Sequence, residues 1–214
     1  LAAIRYVASF APDLPQVVCF DTSFHRTQDR LSQLFAIPRA LSDEGIQRYG
    51  FHGLSYDYIA STLPQHLGAR ADGRIIIAHL GSGASMCAIK NGRSAATSMG
   101  FTALDGLMMG RRCGTLDAGV VLYLMQEKGL SVEQISTMLY RQSGLLGVSG
   151  ISNDMAVLEA SDDPRAREAI ELFCNRAARE LAALATDMGG LDGIVFTAGI
   201  GENSALVREL IYNF

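Results

Sequence analysis

The sequence of 214 residues contains no apolar run approaching the ~20 residues that a membrane-spanning helix needs. We expect no secretory signal in its first residues. Lysine and arginine are scattered, and the formal net charge is −4. This balance argues against nucleic acid or an anionic membrane as the main partner. With 49% hydrophobic and 19% charged residues, the chain can bury a sizeable core and is not expected to be disordered.

Cysteine and histidine occur without the spacing of a metal site. The four cysteines form no C-x-x-C pair and the four histidines form no H-x-x-x-H pair, so zinc is not expected. Cys19, Cys87 and Cys174 lie in apolar stretches. This setting favours buried, reduced thiols in a cytoplasmic protein.

Hydrophobic periodicity predicts an α/β protein with a mixed sheet flanked by helices. Residues 15–22 are predicted as a buried strand that ends at Asp21, and residues 23–53 as turn-rich. Asn91-Gly92 is typical of a type I′ hairpin turn. Further predictions are strands over 74–79, 84–90 and 93–97; helices over 54–63, 116–128, 132–141 and from Pro164 to Gly189; and a buried strand within 192–204 that precedes a glycine loop and a helix near Ser204.

Two glycine loops follow apolar strands. The first, H-L-G-S-G-A-S from His79, would expose amides as an anion nest does, or it would simply turn a hairpin. The second, T-A-G-I-G-E-N-S over 197–204, lies at a helix start that suits a nucleotide, or it is an ordinary connection. Together they favour nucleotide binding, although neither G-x-G-x-x-G nor G-K-[ST] is present.

Other polar residues each have two interpretations. Asp21 could face Mg²⁺ or initiate a turn. His52 could donate to a developing negative charge, but a structural histidine in a turn is the commoner outcome. Arg111 and Arg112 lie between glycines, where a guanidinium suits a carboxylate or phosphate, or they form a solvated pair. Serine hydrolase chemistry is not expected, because there is no G-x-S-x-G elbow.

Six motifs occur in the order found in acetate kinases: V-V-C-F-D-T-S-F-H, R-Y-G-F-H-G-L-S, I-I-I-A-H-L-G-S-G-A-S, T-S-M-G-F-T-A-L-D-G-L-M-M-G-R-R-C-G, S-G-L-L-G-V-S-G-I-S-N-D and I-V-F-T-A-G-I-G-E-N-S. The chain therefore resembles the acetokinase family over nearly its whole length. The resemblance implies the superfamily of acetate and sugar kinases, heat-shock protein 70 and actin, whose ribonuclease-H-like domains surround a nucleotide cleft. Residues 1–22 would be a remnant of the N-terminal domain, and residues 23–214 most of the C-terminal nucleotide-binding and dimerisation domain.

The resemblance also implies roles for individual residues. Asp21 would help organise Mg²⁺, for which Mn²⁺ could substitute, with the remaining ligand outside this chain. His52 and His79 would contact the phosphoryl group during transfer, and Arg112 would bind it together with the acyl carboxylate. The phosphate path and the adenosine site would be formed by His79, Leu80, Gly81, Ser82, Gly83, Asp154, Met155, Ala156, Gly199, Ile200, Gly201 and Asn203.

Four positions depart from the family pattern. Ser82 stands where asparagine is usual, and Arg111 where threonine is usual. Ala156 replaces an arginine that flanks the adenine. Ala103 replaces the proline of F-T-P-L, which removes bulk from an acyl pocket walled by Phe51.

The resemblance implies a homodimeric kinase that transfers a phosphoryl group reversibly between ATP and acetate, giving acetyl phosphate and ADP. Ala103 keeps propionate or butyrate open as the acceptor. The family's N-x-G-S-S-S loop, an upstream arginine and a C-terminal glutamate are absent, and the sequence starts at Leu1 without methionine. We therefore expect a central fragment that does not turn over alone. A non-catalytic nucleotide-binding or dimerisation module is the alternative from another class.

Overall fold

A three-stranded antiparallel ladder forms the centre of the sheet. In the computed structural model, which describes residues 1–214, β1 (Arg74–Leu80) pairs with β2 (Ala84–Lys90), and β2 pairs with β3 (Arg93–Thr97). Asn91 and Gly92, which join β2 to β3, both have positive φ, as a type I′ turn requires. The three strands predicted from the sequence are confirmed to within one residue.

A parallel strand completes the sheet and fixes where the loops meet. β4 (Gly193–Thr197) pairs in parallel with β1, which gives the strand order β3-β2-β1-β4. The register places His79 beside Thr197 on one side and Ser85 on the other. The carboxyl ends of β1 and β4 therefore lie at the same edge, which is where ligands bind in sheets of this kind.

Helices cover both faces of the sheet. Helix α6 (Val132–Arg141) begins after Ser131 with the predicted capping box, in which Gln134 is the reciprocal partner. The long helix α9 (Pro164–Met188) begins after Asp163, as predicted, and ends before Gly189. The helices are α1 (Ala2–Phe10), α2 (Arg30–Gln33), α3 (Arg39–Asp43), α4 (Gly53–Leu67), α5 (Ala118–Gln126), α6 (Val132–Arg141), α7 (Gly144–Ser149), α8 (Met155–Glu159), α9 (Pro164–Met188), α10 (Ala198–Asn203) and α11 (Ala205–Asn213), with 3₁₀ turns at Ser23–Thr27 and Gly68–Asp72. No helix is both long and apolar enough to span a membrane.

Alternating side chains of β1 enter two separate cores. Ile76 and Ala78 belong to the larger core, which includes Phe173 of α9. Ile75 belongs to the smaller core, which includes Tyr56 of α4. Helices α9 and α4 therefore pack against opposite faces of the sheet. Burying one side chain such as Phe173 contributes roughly 1.5–3 kcal/mol to the stability of this packing.

Three sequence predictions are wrong. Residues 15–22 form no strand, because no neighbouring strand pairs with them, and Cys19 is exposed rather than buried. Residues 198–203 form the short helix α10 instead of a glycine loop. β4 is only partly buried, because it is the edge strand of the sheet. The domain boundary at residue 22 stays a prediction.

Replacing Gly53 should destabilise the fold at the start of α4. A Cβ atom at Gly53 would overlap the Asp21 carbonyl oxygen. We expect Gly53→Ala to lower the free energy of unfolding by about 1–3 kcal/mol in urea denaturation. Gly199→Ala is the matched control, since a Cβ there meets nothing within 4 Å. Equal losses in the two variants would contradict the steric explanation.

Candidate functional site

The Asp21 carboxylate binds the N-terminal turn of α4. The His52 backbone N–H donates to Asp21 Oδ2 at 2.7 Å, and the Gly53 N–H donates to the Asp21 backbone carbonyl at 2.9 Å. His52 has φ 58° and ψ 21°, a left-handed conformation that is unfavourable for a side chain with a Cβ. The positive end of the helix dipole stabilises the negative carboxylate of Asp21, and the carboxylate in turn holds His52 in this strained turn.

The imidazole rings of His52 and His79 stack on each other. Their centroids are 4.3 Å apart and their planes differ by 20°. His52 Nδ1 lies 2.7 Å from Ser85 Oγ, and His79 Nδ1 lies 2.9 Å from Ser55 Oγ. Because serine hydroxyls occupy both Nδ1 atoms, the Nε2 atoms are the ring nitrogens left for a ligand.

Burial keeps this histidine pair neutral near pH 7. Burial and the neighbouring His79 lower the pKa of His52 to about 4, against the opposing effect of Asp21. Burial also lowers the pKa of His79, although Asp21 and Glu202 act in the opposite direction. Both rings can therefore act as uncharged hydrogen-bond donors.

Arg112 supplies the positive charge beside the pair. Its Nη1 donates to the Ala103 carbonyl oxygen at 2.5 Å, which fixes the guanidinium. Burial lowers the pKa of Arg112, but an arginine side chain stays protonated in proteins. A Cβ on Gly83 would lie 2.7 Å from Arg112 Nη2 and 3.2 Å from His52 Nε2. Only glycine lets the loop after β1 approach both groups this closely.

A cleft of about 480 Å³ lies beside the loop that follows β1, and Ser82 of that loop lines it. Leu80 and Gly201 are buried and do not line it. Sequence reasoning missed Asn153, Glu159 and Ser204; Ser204 Oγ donates to Glu159 Oε1 across 45 positions, so no local signal marks this pair. The lining residues are Ser82, Asn153, Asp154, Met155, Ala156, Glu159, Gly199, Ile200, Asn203 and Ser204, which include most of the predicted nucleotide residues.

Side-chain hydrogen bonds shape the walls of the cleft. Asp154 Oδ1 accepts from the Ala156 N–H at 3.0 Å and so caps α8. Asn203 donates to the Gly199 carbonyl at 2.9 Å. Arg111 Nη2 donates to Asn153 Oδ1 at 3.2 Å, which places a positive charge at the rim. The wall at Ala156 itself carries no charge.

The carboxylate set suits a metal ion that arrives with phosphate. No three His, Cys, Asp or Glu side chains converge on a point that could hold an ion by themselves. Asp21 is the carboxylate that acts on both stacked histidines, and it remains only half-buried. Mg²⁺ is commonly held by one or two carboxylates, substrate phosphates and water, so Asp21 fits as one contributor.

His25 is hydrogen-bonded to the residue that precedes His52, and sequence reasoning did not identify it as part of the site. It is 3% exposed, and its Nε2 donates to the carbonyl of Phe51, the residue before His52, at 3.0 Å. Its Nδ1 lies 2.9 Å from Ser94 Oγ, 69 positions away. His25 is the last residue of the first family motif, but that motif does not indicate this role, because both partners are distant in sequence.

His25 should make stability depend on pH. Burial lowers the pKa of His25 from its ordinary value, so as pH falls through about 6.5 the unfolded chain binds a proton that the folded chain does not. The free energy of unfolding therefore falls with falling pH. We expect His25→Gln, which keeps a donor for Phe51, to show a shallower pH dependence between about pH 7 and 5.

Urea denaturation across that pH range measures the slope. His66→Gln is the control, because His66 is exposed. The half-buried pair His52 and His79 retains its share of the slope in both variants. An unchanged slope in His25→Gln would show that His25 does not contribute.

Comparison with known proteins agrees with the motifs. The chain is 59% identical over 212 residues to an acetate kinase of Rhodopseudomonas palustris, covering 99% of this chain and 53% of that protein. It is 58% identical over 200 residues to an acetate kinase of Methylocella silvestris, covering 94% of this chain and 50% of that protein. The chain thus spans about half the length of the curated relatives it matches.

Solved structures show the same fold. A crystal structure of Porphyromonas gingivalis acetate kinase matches with a TM-score of 0.92 at 39% identity, over 97% of this chain and 53% of that chain. A propionate kinase from Francisella tularensis matches with a TM-score of 0.94 at 41% identity, over 99% and 56%. Since the model of the acetokinase family also matches residues 1–214, the chain belongs to that family.

Proposed function

We propose that this chain carries the phosphoryl-transfer site of an acetate kinase. One observation supports this most strongly: Ser82 lines the cleft, and the next residue, Gly83, adjoins both His52 Nε2 and Arg112 Nη2. A nucleotide in the cleft would therefore direct its terminal phosphate toward the histidine pair and the guanidinium.

The reaction needs charge stabilisation more than proton transfer. A carboxylate oxygen of acetate attacks the γ-phosphorus of ATP, a new P–O bond forms, the bond to the β-phosphate oxygen breaks, and ADP leaves. Acetate is already an anion near pH 7, so no general base is required. Arg112 neutralises charge on the phosphoryl group and the acetate, and the neutral rings of His52 and His79 donate to its oxygens. The reverse reaction uses the same contacts.

Magnesium completes the charge balance. We propose that Asp21 would help to hold Mg²⁺, for which Mn²⁺ could substitute, and that the bound ion would supply positive charge to the phosphates of ATP. Asp21 orients this end of the site through the α4 turn, so it contributes to metal binding indirectly or as a shared ligand.

The acyl pocket would lie beside Arg112. Phe51 and Ala103 are both partly buried against the larger core, and the Ala103 carbonyl accepts from Arg112. A small residue at position 103 leaves room for longer acids, which keeps propionate or butyrate as the second candidate. An extra methylene changes selectivity by only ~1–3 kcal/mol, so we propose acetate as the preferred acceptor.

Acyl hydroxamate formation in the full-length protein tests this function. Acetate, propionate and butyrate are compared at matched concentrations with ATP and Mg²⁺. We expect the highest kcat/KM with acetate; a higher value with propionate would identify the larger-acid kinase. Absence of activity with all three, from folded protein that still binds ATP, would favour the non-catalytic nucleotide-binding module.

Arg112 and His66 provide matched variants for the site. We expect Arg112→Ala to lower kcat by about 10²–10³-fold, the usual effect of removing one preorganised charge-stabilising group. His66→Ala should leave kcat unchanged, because His66 is exposed near the end of α4. Similar losses in the two variants would contradict the assignment of Arg112.

We also propose a homodimer that uses the face of α5. None of the α5 residues is buried, although the helix is almost wholly apolar. Leu122, Tyr123 and Met125 are 55%, 50% and 41% exposed. An apolar helix left this open suits burial against a second copy of the chain.

Sedimentation velocity over a range of protein concentrations tests this interface. We expect Leu122→Glu to convert the dimer to a monomer, because a charge would be buried at the contact. Leu31→Glu is the control, since Leu31 is 84% exposed and lies in α2 rather than α5. A dimer that persists in Leu122→Glu would place the interface elsewhere.

Two broader proposals follow from packing and cysteine chemistry. We propose that residues 1–22 belong to a separate N-terminal domain, because α1 buries none of its residues.

We propose a cytoplasmic location, because all four cysteines are unpaired thiols.

A further inference from the structure

Two hydroxyl groups lie on the Nδ1 side of His52, opposite the Nε2 that adjoins Gly83. Ser85 Oγ lies 2.7 Å from His52 Nδ1, and the Tyr56 hydroxyl contacts the same Oγ. Tyr56 and Ser85 both have 0% exposure. Tyr56, Ser85 and His52 therefore form a hydrogen-bonded relay that runs from the smaller core to the site.

The direction of each hydrogen bond follows from the number of partners. Ser85 Oγ is the only hydrogen-bond partner of the Tyr56 hydroxyl. A buried hydroxyl hydrogen requires an acceptor, so Tyr56 donates to Ser85. The Ser85 hydrogen then points to its remaining partner, His52 Nδ1. That nitrogen accepts, and a neutral imidazole carries its single hydrogen on the other nitrogen.

The opposite direction leaves a polar hydrogen buried without a partner. If His52 Nδ1 donated to Ser85, three hydrogens would share two hydrogen bonds: either Ser85 would donate to Tyr56 and the Tyr56 hydrogen would have no acceptor, or Ser85 would accept from both and its own hydrogen would have none. Tyr56 packs in the smaller core with Leu63 and Ile77, which offer none. The same reasoning excludes a doubly protonated His52.

We propose that Tyr56 and Ser85 are positioning residues that fix His52 as the tautomer with its hydrogen on Nε2. This inference rests on the proposed function, because it makes His52 a donor aimed at the corner where Gly83 and Arg112 meet. In the other tautomer, the Nε2 lone pair would face the phosphoryl oxygens and repel them. The side chain of Tyr56 acts on the reaction only through Ser85.

Nitrogen NMR of histidine-labelled protein tests the tautomer directly. The His52 signals are identified by their absence from the spectrum of His52→Gln. We expect a protonated Nε2 and an unprotonated Nδ1 at about pH 7. A protonated Nδ1 would overturn the proposal. This measurement needs no catalysis and no variant at Tyr56 or Ser85, so it separates the tautomer from the proposed function.

A double-mutant cycle in the full-length protein tests whether Tyr56 acts through Ser85, as the relay requires. We expect Tyr56→Phe to lower kcat about tenfold, the effect of one lost hydrogen bond, while KM for ATP and acetate changes by less than about twofold. In the Ser85→Ala background the same change should have no further effect. Additive losses would overturn the relay.

Tyr58→Phe is the matched control, since Tyr58 lies on the same helix and is 67% exposed. It should keep full activity, and a loss equal to that of Tyr56→Phe would also overturn the relay. If the full-length protein transfers no phosphoryl group to acetate while NMR shows a protonated Nε2, the proposed function fails and the tautomer assignment stands.

Discussion

The hydrogen bond from the His52 backbone to the Asp21 carboxylate is the contact on which the site depends. It holds a non-glycine residue in the left-handed region, where the chain would not otherwise stay. The direction of the His52 ring, its stacking on His79 and the approach of Gly83 all follow from that turn. A carboxylate predicted to serve Mg²⁺ or a turn thus has a clear structural role as well.

The site separates charge from hydrogen bonding. Burial keeps the stacked histidines uncharged, so that two rings can lie 4.3 Å apart without electrostatic repulsion. The permanent charge comes from Arg112, which is fixed by a backbone carbonyl. Such an arrangement requires little rearrangement when charge develops on a bound anion.

Local signals predicted much of the fold. The Asn91-Gly92 turn, the capping box at Ser131 and the Asp163-Pro164 start of α9 each depend on residues a few positions apart, and each was confirmed. The strand predicted over residues 15–22 is wrong, because a strand also needs a neighbouring strand to pair with, and composition does not show whether one is present. The glycine loop predicted over residues 198–203 is wrong, because helix α10 accommodates these glycines.

The site was only partly predictable for the same reason. Asp21, His52, His79 and Arg112 came from the family resemblance, whereas local sequence left each of them ambiguous. The contacts of His25 with Ser94, and of Glu159 with Ser204, join residues 69 and 45 positions apart. Pairings at that distance depend on tertiary packing, which the sequence pattern does not encode locally.

The parallel pairing of β1 with β4 has a consequence for the order of assembly. It joins segments about as far apart as Arg74 and Asp192, which bond across 118 positions. Contacts between such distant segments form slowly, and during synthesis the second segment emerges long after the first. The α4 turn and the β1–β3 hairpins can therefore form while the wall that includes Gly199 and Asn203 is still unmade. A nascent chain would acquire its histidine pair well before the cleft beside it is complete.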